Sequence, residues 1–212
     1  VIDYALTKVM PKQAPASASI GEHVYVDLGL SVKWATCNVG ASKPEDYGDY
    51  FAWGETKPKS TYKWSTYKWC NGSSSSLIKY NTNSSDGIVD HKKTLDPSDD
   101  AAHVNWGGSW RMPTKAEQDE LRINCTWIWT IQNGVNGYRV TSKKNGMSIF
   151  LPAAGYYEDS SPYGDGSYGD YWSSSLCTGS PDLSYYLYFD SSSANWYSSN
   201  RCYGRSVRPV CP

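Results

Sequence analysis

The sequence predicts an α+β fold in which short capped helices, antiparallel strands and extensive loops form one domain. Two helix starts lie in the first half of the chain, at Asp96 and Thr114. The second half instead alternates apolar and polar residues with the period of two that strands show. Residues 40–94 are rich in Gly, Ser, Asn, Lys and Trp and show little periodicity, which indicates a long loop-rich segment. Short helices followed by strands favour α+β over a parallel α/β sheet.

We divide the chain into an N-terminal appendage and linker, residues 1–20, and a single domain, residues 21–212. Residues 1–9 read as a short strand, and residues 11–19 are small or polar and include two prolines, a composition typical of linkers. No signal peptide precedes residue 1, so we expect a mature chain or a fragment of one.

The first strand of the domain follows from the alternation of Val24 and Val26 with polar neighbours, and we expect it to continue over residues 28–37. Four later segments have strand-like composition: 137–142, 147–151, 184–189 and 206–210.

The two helix starts carry different capping signals. At the first, Asp96 precedes Pro97, a residue favoured at the first helical position, and two further acids follow where the helix dipole stabilises negative charge. At the second, Thr114 and Glu117 have the spacing of a capping box, and the helix is expected to run to about residue 125.

Composition excludes several classes of protein. Twenty Lys and Arg against 21 Asp and Glu give a net charge of -1, whereas nucleic-acid binding usually requires a basic excess. Aromatic residues make up 15% of the chain, which argues against disorder. No apolar run approaches the roughly 18 to 20 residues that span a bilayer. We therefore expect neither a nucleic-acid partner nor membrane insertion.

Cysteine usage and glycosylation sequons favour an exported protein. The sequons begin at Asn71, Asn83 and Asn124, and the cysteine count is even. Small buried thiols in a reduced compartment are the alternative. About 15 pairings are open to six cysteines, and the sequence does not choose among them. The cysteines are Cys37, Cys70, Cys125, Cys177, Cys202 and Cys211.

The C-terminal quarter has an unusual composition. Residues 156–212 contain ten of the 18 tyrosines, and the last lysine of the chain is Lys144. Tyr, Ser, Gly, Asn and Asp dominate antibody-like binding surfaces, because tyrosine offers a large rigid surface with few torsions to freeze and small polar residues adapt their hydrogen bonds. A half-buried sheet with polar turns is the alternative interpretation.

Alternation over residues 184–190 separates two sides of a strand. The side expected to face the core carries Tyr185, Leu187 and Phe189. The side expected to face solvent or ligand carries Tyr186, Tyr188 and Asp190. The same alternation with a period of two places Trp196, between Asn195 and Tyr197, on the side expected to pack against the core.

Six segments in order cover nearly all of the domain: 26–41, 47–55, 106–117, 151–156, 171–175 and 204–210. Together they resemble the Fibrobacter major paralogous domain family, common in gut Bacteroides-type bacteria and their phages. The Gly-x-x-Trp-Arg-x-Pro-Thr segment from Gly107, with the terminal Ser-Val-Arg-Pro-Val, is similar to the formylglycine-generating-enzyme branch of the C-type lectin fold. This resemblance implies a single domain with close termini. It does not imply a function, because the fold hosts enzymes, lectins and protein binders.

A second resemblance concerns residue types. In some members of this fold the C-terminal segment is the variable region of a diversity-generating retroelement, whose adenine mutagenesis converts Asn codons into Tyr, Ser, Asp, Gly or Cys. Here the resemblance implies the ligand-binding residues Tyr168, Asp170, Tyr171, Asp182, Ser184, Tyr186, Tyr188, Asp190, Ser192, Asn195, Tyr197, Ser199, Asn200 and Tyr203. It also implies the fixed scaffold residues Trp172, Leu187, Phe189, Trp196, Arg201, Gly204, Val207 and Val210.

Enzymatic alternatives have weaker signals. The formylglycine-generating enzymes carry a functional cysteine pair near the C-terminus, but no matching motif surrounds Cys202 and Cys211. The three histidines, His23, His91 and His103, lie in no recognisable catalytic setting. The nucleophile elbow, zinc-protease helix, Walker loop and Rossmann glycine patterns are absent from the sequence.

Carbohydrate binding is a further alternative, either by stacking of a sugar on Tyr or Trp or through calcium. Calcium takes six to eight oxygen ligands, and several acids lie in the C-terminal quarter. None of them belongs to a known lectin motif. The acids are Asp159, Asp165, Asp170, Asp182 and Asp190.

These observations predict a non-enzymatic recognition domain, exported or on a cell or virion surface, which needs no cofactor or metal and binds a protein or glycan. Tyr186, Tyr188 and Tyr197 are the expected aromatic anchors. A structural surface module without a specific ligand is the remaining alternative.

Overall fold

The computed structural model describes residues 18–212 and is β-rich, with two short α-helices. The strand expected over residues 1–9 and most of the linker lie outside the described residues. The strands are β1 (Ala18–Ile20), β2 (His23–Val26), β3 (Lys33–Ala35), β4 (Cys125–Gln132), β5 (Val135–Ser142), β6 (Ser148–Pro152), β7 (Tyr156–Glu158), β8 (Ser161–Tyr163), β9 (Tyr168–Leu176), β10 (Leu183–Asp190), β11 (Ala194–Asn200), β12 (Gly204–Arg205) and β13 (Val210–Cys211). The helices are α1 (Ala101–Trp106) and α2 (Lys115–Asn124), with 3₁₀ turns at Trp64–Thr66, Ser84–Asp86 and Pro97–Asp99.

These strands form four small sheets, in which all neighbours are antiparallel. Their orders are β1-β2-β3-β13, β4-β5-β6, β12-β7-β8 and β11-β10-β9. Pairing of β13 with β3 brings the C-terminus beside the first strands of the domain. Because β1 pairs with β2, the sheet extends to Ala18, three residues before the boundary expected at Gly21.

The first helix begins later than the sequence suggests. Pro97 opens a 3₁₀ turn, and α1 starts at Ala101 with Asp100 as its N-cap. The Asp100 carboxylate accepts hydrogen bonds from the backbone N–H groups of Ala102 and His103, and also from Met112, which follows the helix. The additional hydrogen bond from the Met112 N–H therefore favours Asp100 rather than Asp96 as the N-cap of α1.

The second helix confirms its predicted start. Thr114 Oγ1 accepts a hydrogen bond from the Glu117 N–H at 3.2 Å, and a Glu117 carboxylate oxygen accepts one from the Thr114 N–H at 2.8 Å. Glu117 also pairs with Arg111 at 2.6 Å, which attaches the preceding loop to the helix. In this loop Trp110 is fully buried.

The strand expected over residues 206–210 is wrong in its bounds. Ser206 forms a parallel bridge to Tyr171, and Val207 accepts a hydrogen bond from the Val39 N–H. Regular pairing is confined to β12 before this segment and β13 at its end. The segment crosses between two sheets, so it cannot form a continuous ladder with either. The expected first strand is likewise shorter, because within residues 28–37 only Lys33–Ala35 forms a regular strand.

Buried arginines attach the loops to the sheets. Arg201 donates hydrogen bonds from its guanidinium to the carbonyls of Tyr80, Pro181 and Lys79, so the loop-rich segment is fixed to the residue that follows β11. Arg208 bonds in the same way to the carbonyls near Ala35. Guanidinium groups suit this role because their donors form a rigid planar fork.

Candidate functional site

Seven tyrosines from two neighbouring sheets lie side by side on one surface, which we call the tyrosine face. Strands β7 and β8 contribute one each, β9 one, β10 two and β11 one, and the last follows β11. Its members are Tyr156, Tyr163, Tyr168, Tyr186, Tyr188, Tyr197 and Tyr203.

Strand register explains why these residues share a side. Tyr186 pairs with Tyr197 of β11, and Asp190 pairs with Tyr168 of β9, so alternate positions of the three strands project together. Leu187 and Phe189, between them on β10, are buried in the core as predicted. The alternation therefore separates a packed side from a displayed side.

Ring contacts make the tyrosine face continuous. The Tyr188 ring centroid lies 5.6 Å from those of Tyr168 and Tyr197. Tyr156 extends this row into the second sheet, stacked on Tyr163 at 5.4 Å and 6.3 Å from Tyr168. Such spacing is favourable for aromatic pairs and restricts ring motion.

A buried ion pair lies beneath the face. Arg205 Nε donates to Asp170 Oδ2 at 3.1 Å, and each residue is 2% exposed. The Arg205 guanidinium carbon lies 4.1 Å from the Tyr186 ring centroid and 4.5 Å from that of Trp172. Arg205 therefore connects the base of the face to the core through cation–π contacts.

This ion pair is incompletely hydrogen-bonded. Within residues 18–212, Arg205 Nη1 and Asp170 Oδ1 are buried and have no partner. Burial raises the pKa of the Asp170 carboxyl to about 6, an effect that outweighs the attraction of Arg205. The pair therefore holds two charges at a cost in solvation.

Three phenols of the face, those of Tyr168, Tyr188 and Tyr203, are neutral near pH 7. Burial raises the pKa of Tyr168, Tyr188 and Tyr203 to about 12, with Asp190 and Glu158 adding to the effect at the last two. Neutral hydroxyls can both donate and accept hydrogen bonds. The face therefore combines apolar rings with adaptable polar tips.

Asp190 gives one end of the face a fixed negative charge. Its carboxylate accepts hydrogen bonds from the Ser192 hydroxyl, the backbone N–H groups of Ser192 and Ser193, and the Tyr188 hydroxyl. The Ser192 hydroxyl is the main cause that lowers the Asp190 pKa to about 2. Residues 145–212 contain no lysine, and their three arginines, Arg201, Arg205 and Arg208, are buried.

Most of the residues expected to bind a ligand come together at this surface. Ser192, however, lies in the turn at the end of the face, and the side chain of Asn200 lies on the opposite side of β11. Asp182 precedes β10, and its carbonyl accepts a hydrogen bond from the Arg201 N–H. The residues on or bordering the face are Tyr168, Tyr186, Tyr188, Asp190, Asn195, Tyr197, Ser199 and Tyr203.

Three residues expected at the surface are instead buried. Tyr171 is stacked on Phe189, and its hydroxyl donates to the Pro152 carbonyl at 2.7 Å. Ser184 is fully buried, and Asp170 is enclosed with Arg205. Their residue types match those of displayed positions. Tyr171, however, lies opposite Leu187 on the core side of β9, Arg205 of β12 covers Asp170, and the register of β10 on β9 shifts between Ser184 and Tyr186.

Trp196 and Tyr185 also differ from expectation. Trp196 is 41% exposed rather than packed in the core, since β11 is the outer strand of its sheet. Its ring meets Tyr185 edge-on, and Lys115 Nζ lies 3.6 Å from the indole. Both aromatic residues are therefore partly exposed beside the start of α2, on the opposite side of the sheet from the tyrosine face.

Tyr156 and Tyr163 are members of the face that sequence reasoning did not select. The feature of the sequence that could have identified them is composition, because the tyrosine-rich stretch begins at residue 156. Their position follows from the pairing of β7 with β12, in which Tyr156 lies opposite Arg205. Such a distant pairing is not encoded in local periodicity.

The cysteines and acids considered above as enzymatic or metal-binding candidates are dispersed among the described residues. Cys202 and Cys211 belong to different core clusters, and burial raises the pKa of both thiols. Among residues 18–212, no three His, Cys, Asp or Glu side chains are grouped to hold a metal ion. Asp159, one of the calcium candidates, pairs with Lys63 at 3.1 Å.

All six cysteines are free thiols, so the structure contains no disulfide among residues 18–212. Four of them are buried: Cys70, Cys125, Cys202 and Cys211. In the described part of the chain, no helix has the length and apolar character needed to traverse a bilayer.

Comparison with known protein families gives a match to part of the chain. Residues 123–210 are similar to a family described as a domain of unknown function, DUF8237. No curated protein and no solved structure matches the chain. The matched segment contains every residue of the tyrosine face.

Proposed function

We propose that the chain is a non-enzymatic recognition domain whose tyrosine face binds a protein or glycan ligand. The observation that carries this proposal is the unbroken row of tyrosine rings across two sheets, supported from beneath by Arg205. Rigid aromatic side chains lose little conformational entropy on binding, and their hydroxyls supply directional contacts.

The negative charge of the face restricts the surface charge of the partners that can bind it. Asp190 is anionic at neutral pH, and the arginines of the C-terminal segment are buried. A neutral or positively charged surface is therefore the better complement, whereas the phosphates of a nucleic acid are repelled.

We further propose a C-type lectin-like fold for the domain, of the Fibrobacter major paralogous type, with exposure at a cell or virion surface. Its support is the ordered set of matching segments, the pairing of β13 with β3, and the short capped helices beside antiparallel strands. On this proposal the tyrosine face corresponds to the retroelement-diversified region.

The test compares three proteins against a displayed random-peptide library and an immobilised glycan panel: the wild type, Tyr188→Ala/Tyr197→Ala and the control Tyr25→Ala. Tyr25 is a partly exposed tyrosine on β2, which belongs to a different sheet from those of the tyrosine face. We expect probes retained by the wild type to be lost by the double variant and kept by the control. Wild-type retention that the double variant leaves intact, or no retention from either panel, contradicts the proposal.

Tyr186 is a poorer choice for this test than the sequence suggests. Its ring covers Arg205 and contacts Trp172 edge-on, so its removal uncovers a buried charge. This geometry predicts that substitution of Tyr186 by alanine reduces stability as well as binding.

A further inference from the structure

We propose that β4 is a self-association edge, along which two copies of the chain pair antiparallel to form one continuous six-stranded sheet. In its own sheet β4 is an outer strand, and within residues 18–212 its strand partner is β5 alone. Among the described residues, the backbone groups on its other side have no strand partner. This proposal is independent of the tyrosine face.

The outer edge of β4 lacks the usual protection against pairing. Proteins commonly place charged residues or proline on outer strands, but Cys125–Gln132 contains neither. Apolar side chains are instead exposed on and beside the strand: Ile128 is 55% exposed, Ile131 66% and Ile123, near the end of α2, 54%. A long outer strand with exposed apolar side chains and no protecting charge or proline is a template for pairing with another chain.

A second copy is the occupant that fits this edge. An uncharged strand meets its own copy without like-charge repulsion, and a net charge of -1 gives two chains little long-range repulsion. Two other long strands are also outer strands. Of these, β9 already forms bridges to Gly155 and Ser206. β11 contributes to the tyrosine face and has no exposed isoleucine, leucine or valine.

Symmetry restricts the register. A twofold axis perpendicular to the sheet keeps each side chain on its own side of the sheet. Two residues that lie directly opposite each other must therefore both have even numbers or both have odd numbers. Centring the pair on Ile128 places the two exposed Ile128 side chains together and retains almost the full strand. In that register Thr126 lies opposite Thr130 of the partner subunit.

The test is sedimentation velocity on the purified chain from micromolar to near-millimolar concentration. We expect a dimer for the wild type and for Ile88→Lys, whose isoleucine is 63% exposed but lies outside the strands. We expect Ile128→Lys to raise the dimer dissociation constant about tenfold or more, because two ammonium groups then face each other. A monomeric wild type, or equal weakening by both substitutions, overturns the proposal.

Register is tested by a charge pair on the same strand. Thr126→Lys/Thr130→Lys places like charges opposite each other and is expected to be monomeric, whereas Thr126→Lys/Thr130→Glu places opposite charges together and is expected to dimerise. Circular dichroism checks that both variants are folded. Two folded variants with equal association constants overturn the proposed register.

Discussion

Arg205 and Asp170 form a buried ion pair whose Nε–Oδ2 distance is 3.1 Å, directly beneath the rings of the tyrosine face. Arg205 belongs to β12 and Asp170 to β9, so the contact joins the two sheets that contribute the displayed tyrosines. The relative position of those sheets therefore depends on two charges that solvent does not reach.

Removing one member of this pair is expected to destabilise the protein strongly. Asp170→Ala leaves the Arg205 charge buried without its partner, and we expect a loss of about 3–5 kcal/mol in the free energy of unfolding, measured by urea denaturation. The double variant Asp170→Leu/Arg205→Met removes both charges and should lose less. If the double variant is the less stable one, the pair itself stabilises the fold.

Stability is expected to depend on pH through Asp170. Its folded-state pKa is about 6, above the ordinary 3.8, so the folded protein retains the proton more strongly than the unfolded chain. This contribution to stability is complete below pH 3.8 and is lost as the pH rises through 6. It amounts to up to about 3 kcal/mol.

Comparison with Asp170→Asn isolates the pH-dependent contribution of Asp170 to the free energy of unfolding, because the asparagine amide does not titrate. We expect the free energy of unfolding of the wild type, minus that of the variant, to fall between pH 4 and pH 7. A difference that stays constant over this range contradicts a raised pKa.

Gly164 is expected to tolerate no side chain. It has φ of +70°, and a Cβ there overlaps the ring of Tyr168. Gly146 provides the matched control, with φ of +75° and no atom within 4 Å of an added Cβ. Both alanine variants carry the left-handed strain of about 1–2 kcal/mol, so any additional loss in Gly164→Ala, measured by urea denaturation, reports displacement of Tyr168.

The two classes of tyrosine in the C-terminal segment are expected to respond differently to truncation. Tyr171→Ala removes a fully buried ring and should cost about 3–5 kcal/mol of stability, whereas Tyr197→Ala on the outer strand should change it by about 0.5 kcal/mol or less. Thermal or urea unfolding of both variants checks this. Similar losses at the two positions would place Tyr197 in the core as well.

The sequence correctly predicted those elements whose structure depends on residues close together in the chain. The capping box of Thr114 and Glu117 marked the start of α2, and the alternation in β10 separated Leu187 and Phe189 from their displayed neighbours. In each case, residues within a few positions of one another determine the structure.

Distant contacts account for the differences. Asp100 became the α1 cap because Met112 adds a backbone donor to the same carboxylate. Trp196 is exposed because no strand lies beyond β11 among residues 18–212, a fact of topology rather than periodicity. Tyr156 joins the face through its pairing with Arg205, about fifty positions away in the sequence.

The separation of sides in β10 has a practical consequence for engineering. Main-chain hydrogen bonds to β9 and β11 hold the strand in place independently of the side chain at position 188, while Leu187 and Phe189 secure it to the interior. Randomised codons at positions 188, 195 and 197 should therefore yield folded proteins with altered surfaces, so that the domain can serve as a scaffold for selecting new binders.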